Sequence, residues 1–87
     1  MKENTMTINH LNDEIITLFV ERLNVEPNQV SLESDLEKDL GADSLDIVEL
    51  IMDIERKFGV AVSDADAATI RTVGDAVRFV HAELSKN

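Results

Sequence analysis

The sequence has no cysteine, no tryptophan and no tyrosine, and it holds only one proline, three glycines and three phenylalanines. Without cysteine there is no disulfide framework and no thiolate nucleophile, so any thiol chemistry has to come from an attached group. The same absence fits a reducing compartment. A core with so few rings rests on Val, Ile, Leu and Met side chains, which repack at lower cost than stacked aromatics. Positive charge is scarce as well: eight Lys and Arg stand against eighteen Asp and Glu, for a formal net charge of -10. Such a balance repels nucleic acid and anionic membranes and steers in partners with basic patches. No apolar run is long enough to span a bilayer, and the polar stretch Met1 to Thr5 lacks the apolar segment of a signal peptide behind it, so a cytoplasmic protein without a membrane span is expected. His10 and His81 lie at opposite ends with no cysteine nearby, and they read as surface imidazoles rather than metal ligands. At 87 residues the chain suits a single domain over 1–87, with an ordered core over about 9–84.

What is present is organised around Leu40-Gly41-Ala42-Asp43-Ser44-Leu45-Asp46-Ile47-Val48-Glu49-Leu50. A loop ending in glycine meets an acidic residue suited to cap a helix, and the pattern then turns helical. Asp43 can accept a bond from an unpaired amide of the first turn, and Asp46 can answer toward the amide of Asp43. Ser44 is thereby fixed at the first helical position. An anion esterified to its hydroxyl would sit at the positive end of the helix dipole, near free N–H donors. No basic residue occurs between Leu40 and Glu55, so free phosphate or nucleotide would be repelled. The phosphate would have to be covalently attached.

The rest of the chain reads as further helices. Asn9 is placed to cap a first helix ending near Asn24, with Leu11, Ile15, Leu18 and Phe19 as its apolar stripe and Asn12, Asp13, Glu21 and Arg22 on its polar face. Residues 25–39 lack a sustained period and form a long connection, with Val30, Leu32, Leu36 and Leu40 as anchors. A second helix from Ser44 to about Phe58 carries Val48, Ile51, Met52, Ile54 and Phe58 as an apolar face. Its other face sets Asp46, Glu49, Asp53 and Arg56 at steps of three or four, an acidic ridge beginning beside Ser44. Ser63 or Asp64 can cap a short third helix through about Ile70. Thr72 with Asp75 forms a capping box for a fourth, whose stripe is Val73, Ala76, Val77, Val80 and Leu84; Gly74 in its first turn weakens intrinsic propensity slightly. The fold class expected is all-α, a small antiparallel four-helix bundle with a long first loop and a short third helix.

The frame around Asp43-Ser44-Leu45 resembles the attachment motif of the acyl carrier proteins of bacterial type II fatty acid synthesis, and the resemblance runs nearly gap-free from about Asn9 to Leu84. It implies a carrier converted from apo to holo form by transfer of 4'-phosphopantetheine from coenzyme A onto Ser44, with Asp43 as cap and positioning residue. Acyl groups would then ride as thioesters on the terminal thiol. It implies as partners a holo-acyl-carrier-protein synthase or another phosphopantetheinyl transferase, together with acyltransferases, ketosynthases, reductases and dehydratases bearing basic docking patches. Asp46 and Glu49 match the family's docking positions, and Asp53, Arg56 and Lys57 continue the same surface. In the family the acyl chain enters between the second and third helices, for which Val48, Met52, Val62 and Ile70 are the expected lining.

Three departures stand out. Arg56 and Lys57 occupy positions where the family commonly continues with glutamate. Gly59-Val60-Ala61-Val62-Ser63 replaces a usual isoleucine-proline entry to the third helix, and Ala65 and Ala68 stand where acids are common. A specialised carrier serving one pathway fits these departures as well as a housekeeping one. No catalysis is expected of the chain, since Ser44 has no neighbouring histidine or lysine in sequence to act as base. A monomer is expected. The rivals are a polyketide, peptidyl or D-alanyl carrier modified on the same serine and, from a different class, a small acidic interaction module with no prosthetic group.

Overall fold

The computed structural model describes residues 8–86. Four α-helices follow in order, α1 (Ile8–Leu23), α2 (Ser44–Phe58), α3 (Asp64–Thr69) and α4 (Val73–Leu84), with one 3-10 turn at Pro27–Gln29 in the long connection. The all-α bundle with a long first loop and a short third helix is therefore the architecture that forms. No helix among the described residues is long and apolar enough to cross a membrane.

α1 packs against both α2 and α4. Leu11, Ile15 and Phe19, one helical turn apart, are fully buried and form the stripe that the i, i+4 spacing leads one to expect. Asn9 lies inside α1, which begins at Ile8, and so is not its cap. The helix ends where Asn24 takes a left-handed backbone at φ 57°, a conformation asparagine adopts more readily than most residues.

α2 and α4 open with reciprocal caps. Asp43 and Asp46 bond each other's amides at the start of α2, and Thr72 and Asp75 do the same for α4. Ser63 caps α3 by accepting from the amide of Asp66. α2 stops at Gly59, whose left-handed φ of 68° allows its amide to bond the Glu55 carbonyl. The side chain of Glu55 then reaches forward to accept the amide of Val62 at 2.9 Å, tying the connection to α3 back onto α2.

The long loop is held to the start of α4 by its own backbone. The amide of Leu36 bonds the Arg71 carbonyl at 2.9 Å, Val73 bonds the Ser34 carbonyl at 3.1 Å, and Gly74 bonds the Leu32 carbonyl at 2.8 Å. Val30, Leu36, Leu40 and Ala42 turn into the core. Leu32 does not; its side chain is exposed, and its contribution is the carbonyl that meets Gly74. That contact explains the glycine, because a Cβ on Gly74 would lie 2.9 Å from the Leu32 oxygen. Close approach, rather than tolerance of a weak helix former, is the reason for the residue.

The buried face of α2 is Leu50 and Ile54, flanked by half-buried Ile47 and Phe58. Val48 and Met52, expected on that face, are instead exposed with Leu45. Positions 47, 50, 54 and 58 and positions 45, 48 and 52 each make a stripe at helical spacing, so α2 carries two apolar stripes and only one can face the bundle.

Candidate functional site

Ser44 is exposed at the first position of α2. The cap is complete without its hydroxyl: the Asp46 amide donates to Asp43 Oδ1 at 2.9 Å and the Asp43 amide donates to Asp46 Oδ2 at 3.1 Å. The amides of Ser44 and Leu45 belong to the first turn, where N–H groups have no partner within the helix. A phosphate esterified to Ser44 Oγ would meet those donors and the positive end of the dipole without unfolding anything. Two other serines, Ser34 and Ser63, are engaged in local bonds of their own. Ser34 is buried and its hydroxyl accepts the Ser31 amide at 3.0 Å, while Ser63 Oγ accepts the Asp66 amide at 3.1 Å.

One turn beyond Ser44, Ile47 forms part of the wall of a cavity of about 380 Å³ between the long loop, α2 and α3. Leu36, Ile47, Ala67, Ala68 and Ile70 supply apolar lining; Asp35, Glu37, Lys38 and Arg71 supply polar lining. Of the four side chains expected to line an acyl cavity, Ile70 is in this wall. Val48 and Met52 belong to the exposed stripe of α2, and half-buried Val62 packs against the core from the loop before α3. The side chain of Asp35 bonds the amides of Glu37 and Lys38. The Lys38 amide bond, joined by the Glu37 amide and the charges of Lys38 and Arg71, holds its carboxyl below the usual value against the upward push of burial.

The outer face of α2 divides into two ends. Near Ser44 stand Asp46 and Glu49 beside the exposed stripe Leu45, Val48 and Met52, of which Leu45 is 63% exposed. At the far end Asp53 is enclosed, with only 14% of its side chain exposed. Arg22, on the last turn of α1, reaches it with Nε at 3.0 Å and Nη2 at 2.8 and 2.9 Å, and Arg56 adds Nη2 at 2.7 Å. Arg22 Nη1 also bonds Glu49 at 3.2 Å. Donating to Asp53 holds the Arg22 guanidinium above its usual value, against the effect of burial, with further help from the charges of Asp53, Glu49 and Asp46. Lys57 turns to α1 as well, bonding Glu14 at 2.9 Å and drawing the Glu14 carboxyl below its usual value. The sequence pattern puts Arg22 on the polar face of α1. The four-residue spacing from Glu49 to Asp53 offers two acids on one helix face to whatever lies opposite, but nothing local says that α1 supplies the cation.

A family model described as a phosphopantetheine attachment site matches residues 13–80. The chain is 52% identical over 68 residues to an acyl carrier protein of Wolinella succinogenes, covering 78% of this chain and 90% of that one. It is 49% identical over 68 residues to an acyl carrier protein of a Sulfurovum species, with 78% and 91% covered, and 50% identical over 68 residues to one of Helicobacter acinonychis, with 78% and 87% covered.

Proposed function

The chain belongs to the acyl carrier protein family, and on that premise we propose that Ser44 is its attachment point, with Asp43 holding the serine in place. Family membership makes it a non-catalytic carrier whose prosthetic group is 4'-phosphopantetheine. The observation that carries the residue assignment is the exposed Ser44 hydroxyl on a helix start whose cap is made entirely by its neighbours. When attached, the group supplies a thiol at the end of a flexible arm, which a chain with no cysteine cannot supply itself. Loading is a phosphoryl transfer in a separate enzyme: Ser44 Oγ forms a phosphoester to the pantetheine-bearing phosphorus of coenzyme A, the diphosphate P–O bond breaks, the nucleotide leaves, and the enzyme's base takes the hydroxyl proton.

The protein's own residues position and dock. Asp43 and Asp46 fix the first turn of α2 so that Ser44 projects outward. The half-buried Glu49 and Asp46 present negative charge beside the apolar stripe of Leu45, Val48 and Met52, and this mixed face suits a transferase or synthase with a basic, partly apolar docking patch. Arg56 and Lys57 at the far end alter the charge that such a patch meets. The cavity walled by Leu36, Ile47, Ala67, Ala68 and Ile70 is the space for an acyl chain, since its wall begins one turn from Ser44 and its volume is that of a small-ligand site. Once docked, the tethered cargo reacts in an effectively intramolecular step.

The test is intact mass before and after incubation with coenzyme A, Mg2+ and a phosphopantetheinyl transferase, followed by fragmentation to locate the adduct. One phosphopantetheine on Ser44, absent from Ser44→Ala, is the expected outcome. An unmodified chain under conditions that load another carrier, or an adduct on Ser34 or Ser63, overturns the assignment.

A further inference from the structure

The far end of α2 is not simply less acidic than the near end; it is already bound. Three acids, Asp46, Glu49 and Asp53, fall on one side of the helix, and Arg22 from α1 engages the last two. Both oxygens of Asp53 are covered, by Arg22 and by Arg56. A partner's lysine or arginine approaching Asp53 therefore has either to displace two guanidinium groups or to face their charge. At Glu49 it has to share. Arg22 is itself held against withdrawal: its contact with Asp53 is two-pronged, a geometry a guanidinium makes and an ammonium does not. Leu18 and Glu21 stand beside it on α1, around the shallow cleft that Arg22 and Asp53 close. By contrast, Leu45, Val48 and Met52, at spacings of three and four residues on one stripe, are exposed.

We propose that Arg22 is a partner-selecting residue: it occupies, from within the chain, the place that a partner's basic side chain would take at Glu49 and Asp53. The proposal rests on the reading of α2 as the docking face. Its consequence is a short footprint. The partner that fits has an apolar depression for Leu45, Val48 and Met52 and a cationic group opposite Asp46. A partner whose basic residues extend along the whole of α2 meets Arg22 and Arg56 instead of free carboxylates, and like charges at that rim disfavour it.

The experiment measures binding of the full chain to a phosphopantetheinyl transferase and to a ketosynthase, at about 25 mM and about 250 mM NaCl, so that screening separates exposed charge from close contact. Four proteins are compared: wild type, Arg22→Gln, Arg78→Gln and the double variant Asp46→Lys with Glu49→Lys. Arg78 pairs with Asp75 on α4, so its replacement changes net charge equally without touching α2. Arg22→Gln frees Glu49 and Asp53 Oδ2, leaving Arg56 on Asp53 Oδ1, and is expected to tighten docking by about three- to tenfold at low salt for the partner with the longer basic face, with most of the gain lost at high salt. Arg78→Gln is expected to change it by less than about twofold. Equal effects of the two variants would overturn the proposal and leave Arg22 as a strut between α1 and α2. Thermal melting accompanies each measurement, and if Arg22→Gln is unfolded at the assay temperature, Arg22→Lys takes its place: the charge stays, the two-pronged contact is lost, and a smaller tightening is expected, its absence counting against the proposal. If the double variant binds both partners as wild type does, the docking reading itself fails, and that result is distinct because it appears whatever Arg22 does.

Discussion

The starts of α2 and α4 use the same cap chemistry and come to opposite ends. Each has an oxygen-bearing side chain before the helix and an aspartate three residues later, and each closes its reciprocal pair of bonds. At α2 the two residues inside the cap are Ser44 and Leu45, both exposed; at α4 they are Val73 and Gly74, both buried. What separates them is the neighbour. The long loop lies across α4 and takes the amides of Val73 and Gly74 for its own carbonyls, whereas among the described residues the first turn of α2 stays exposed at Ser44 and Leu45. A capped helix start thus says where a serine would be held, and only the packing around it says whether an enzyme could reach it.

The sharpest way to break this contrast is to exchange the residues. Val73→Ser puts a serine in a capped first position of α4, yet it replaces a fully buried valine and leaves a hydroxyl in an apolar site, so a loss of about 2–4 kcal/mol is expected with no phosphopantetheine adduct. Ser44→Ala is expected to abolish the proposed adduct and to change stability by less than about 0.5 kcal/mol, because the cap belongs to Asp43. Urea unfolding read together with intact mass checks both, and an adduct on the Val73→Ser serine would show that cap geometry alone attracts the transferase.

A smaller effect tests the neighbour directly. Gly74→Ala adds intrinsic helix propensity of about 1 kcal/mol, but its Cβ meets the Leu32 carbonyl at 2.9 Å. The clash is expected to win, with a net loss of about 1–2 kcal/mol, while Leu45→Ala at the matching place on α2 changes stability by less than about 0.5 kcal/mol. A Gly74→Ala protein that melts higher than wild type would mean the loop gives way at little cost.

The smallest effect concerns charge. Burial alone would push the Asp75 carboxyl upward, but bonds from the Arg71 amide, the Arg78 guanidinium and the amide and hydroxyl of Thr72 outweigh it and hold the carboxyl below its usual value of 3.8. A carboxyl depressed in the folded state contributes stability that is whole above the unfolded value and is lost as the pH falls through the folded one. Asp75→Asn should therefore flatten the acid side of the stability curve below about pH 4 while leaving its shape near neutrality unchanged. Unfolding midpoints from about pH 2.5 to about pH 7 decide it, and an acid limb as steep as that of wild type would assign the effect to other carboxylates.

The caps were legible in the sequence because their partners are three residues apart and the bonds are local. The span of α2, the Thr72–Asp75 box and the short α3 were readable for the same reason. Which apolar stripe of α2 faces inward was not, since Leu45, Val48 and Met52 repeat as regularly as Ile47, Leu50, Ile54 and Phe58, and spacing cannot choose between two stripes. Asn9 had the chemistry of a cap but lies inside α1. Arg22 was unreadable in a different way: its partners Glu49 and Asp53 are 27 and 31 residues distant, and an arginine on a polar helix face looks the same whether it meets water or a carboxylate. The cavity wall, too, joins the loop, α2 and α3, so Leu36, Ala67 and Ala68 could be found there only once the loop was placed.

The backbone bonds between the long loop and the start of α4 join residues nearly half the chain apart. A segment held in this way does not exchange its amide hydrogens as a free loop does; Leu36, Val73 and Gly74 lose protection only when loop and helix separate. The loop and α4 therefore open as one cooperative unit. Because the same separation removes Leu36 and the adjoining Ile70 from their shared wall, that cavity and the start of α4 have a common opening free energy, and a ligand that fills the cavity is expected to slow hydrogen exchange at Val73 and Gly74 without touching either residue.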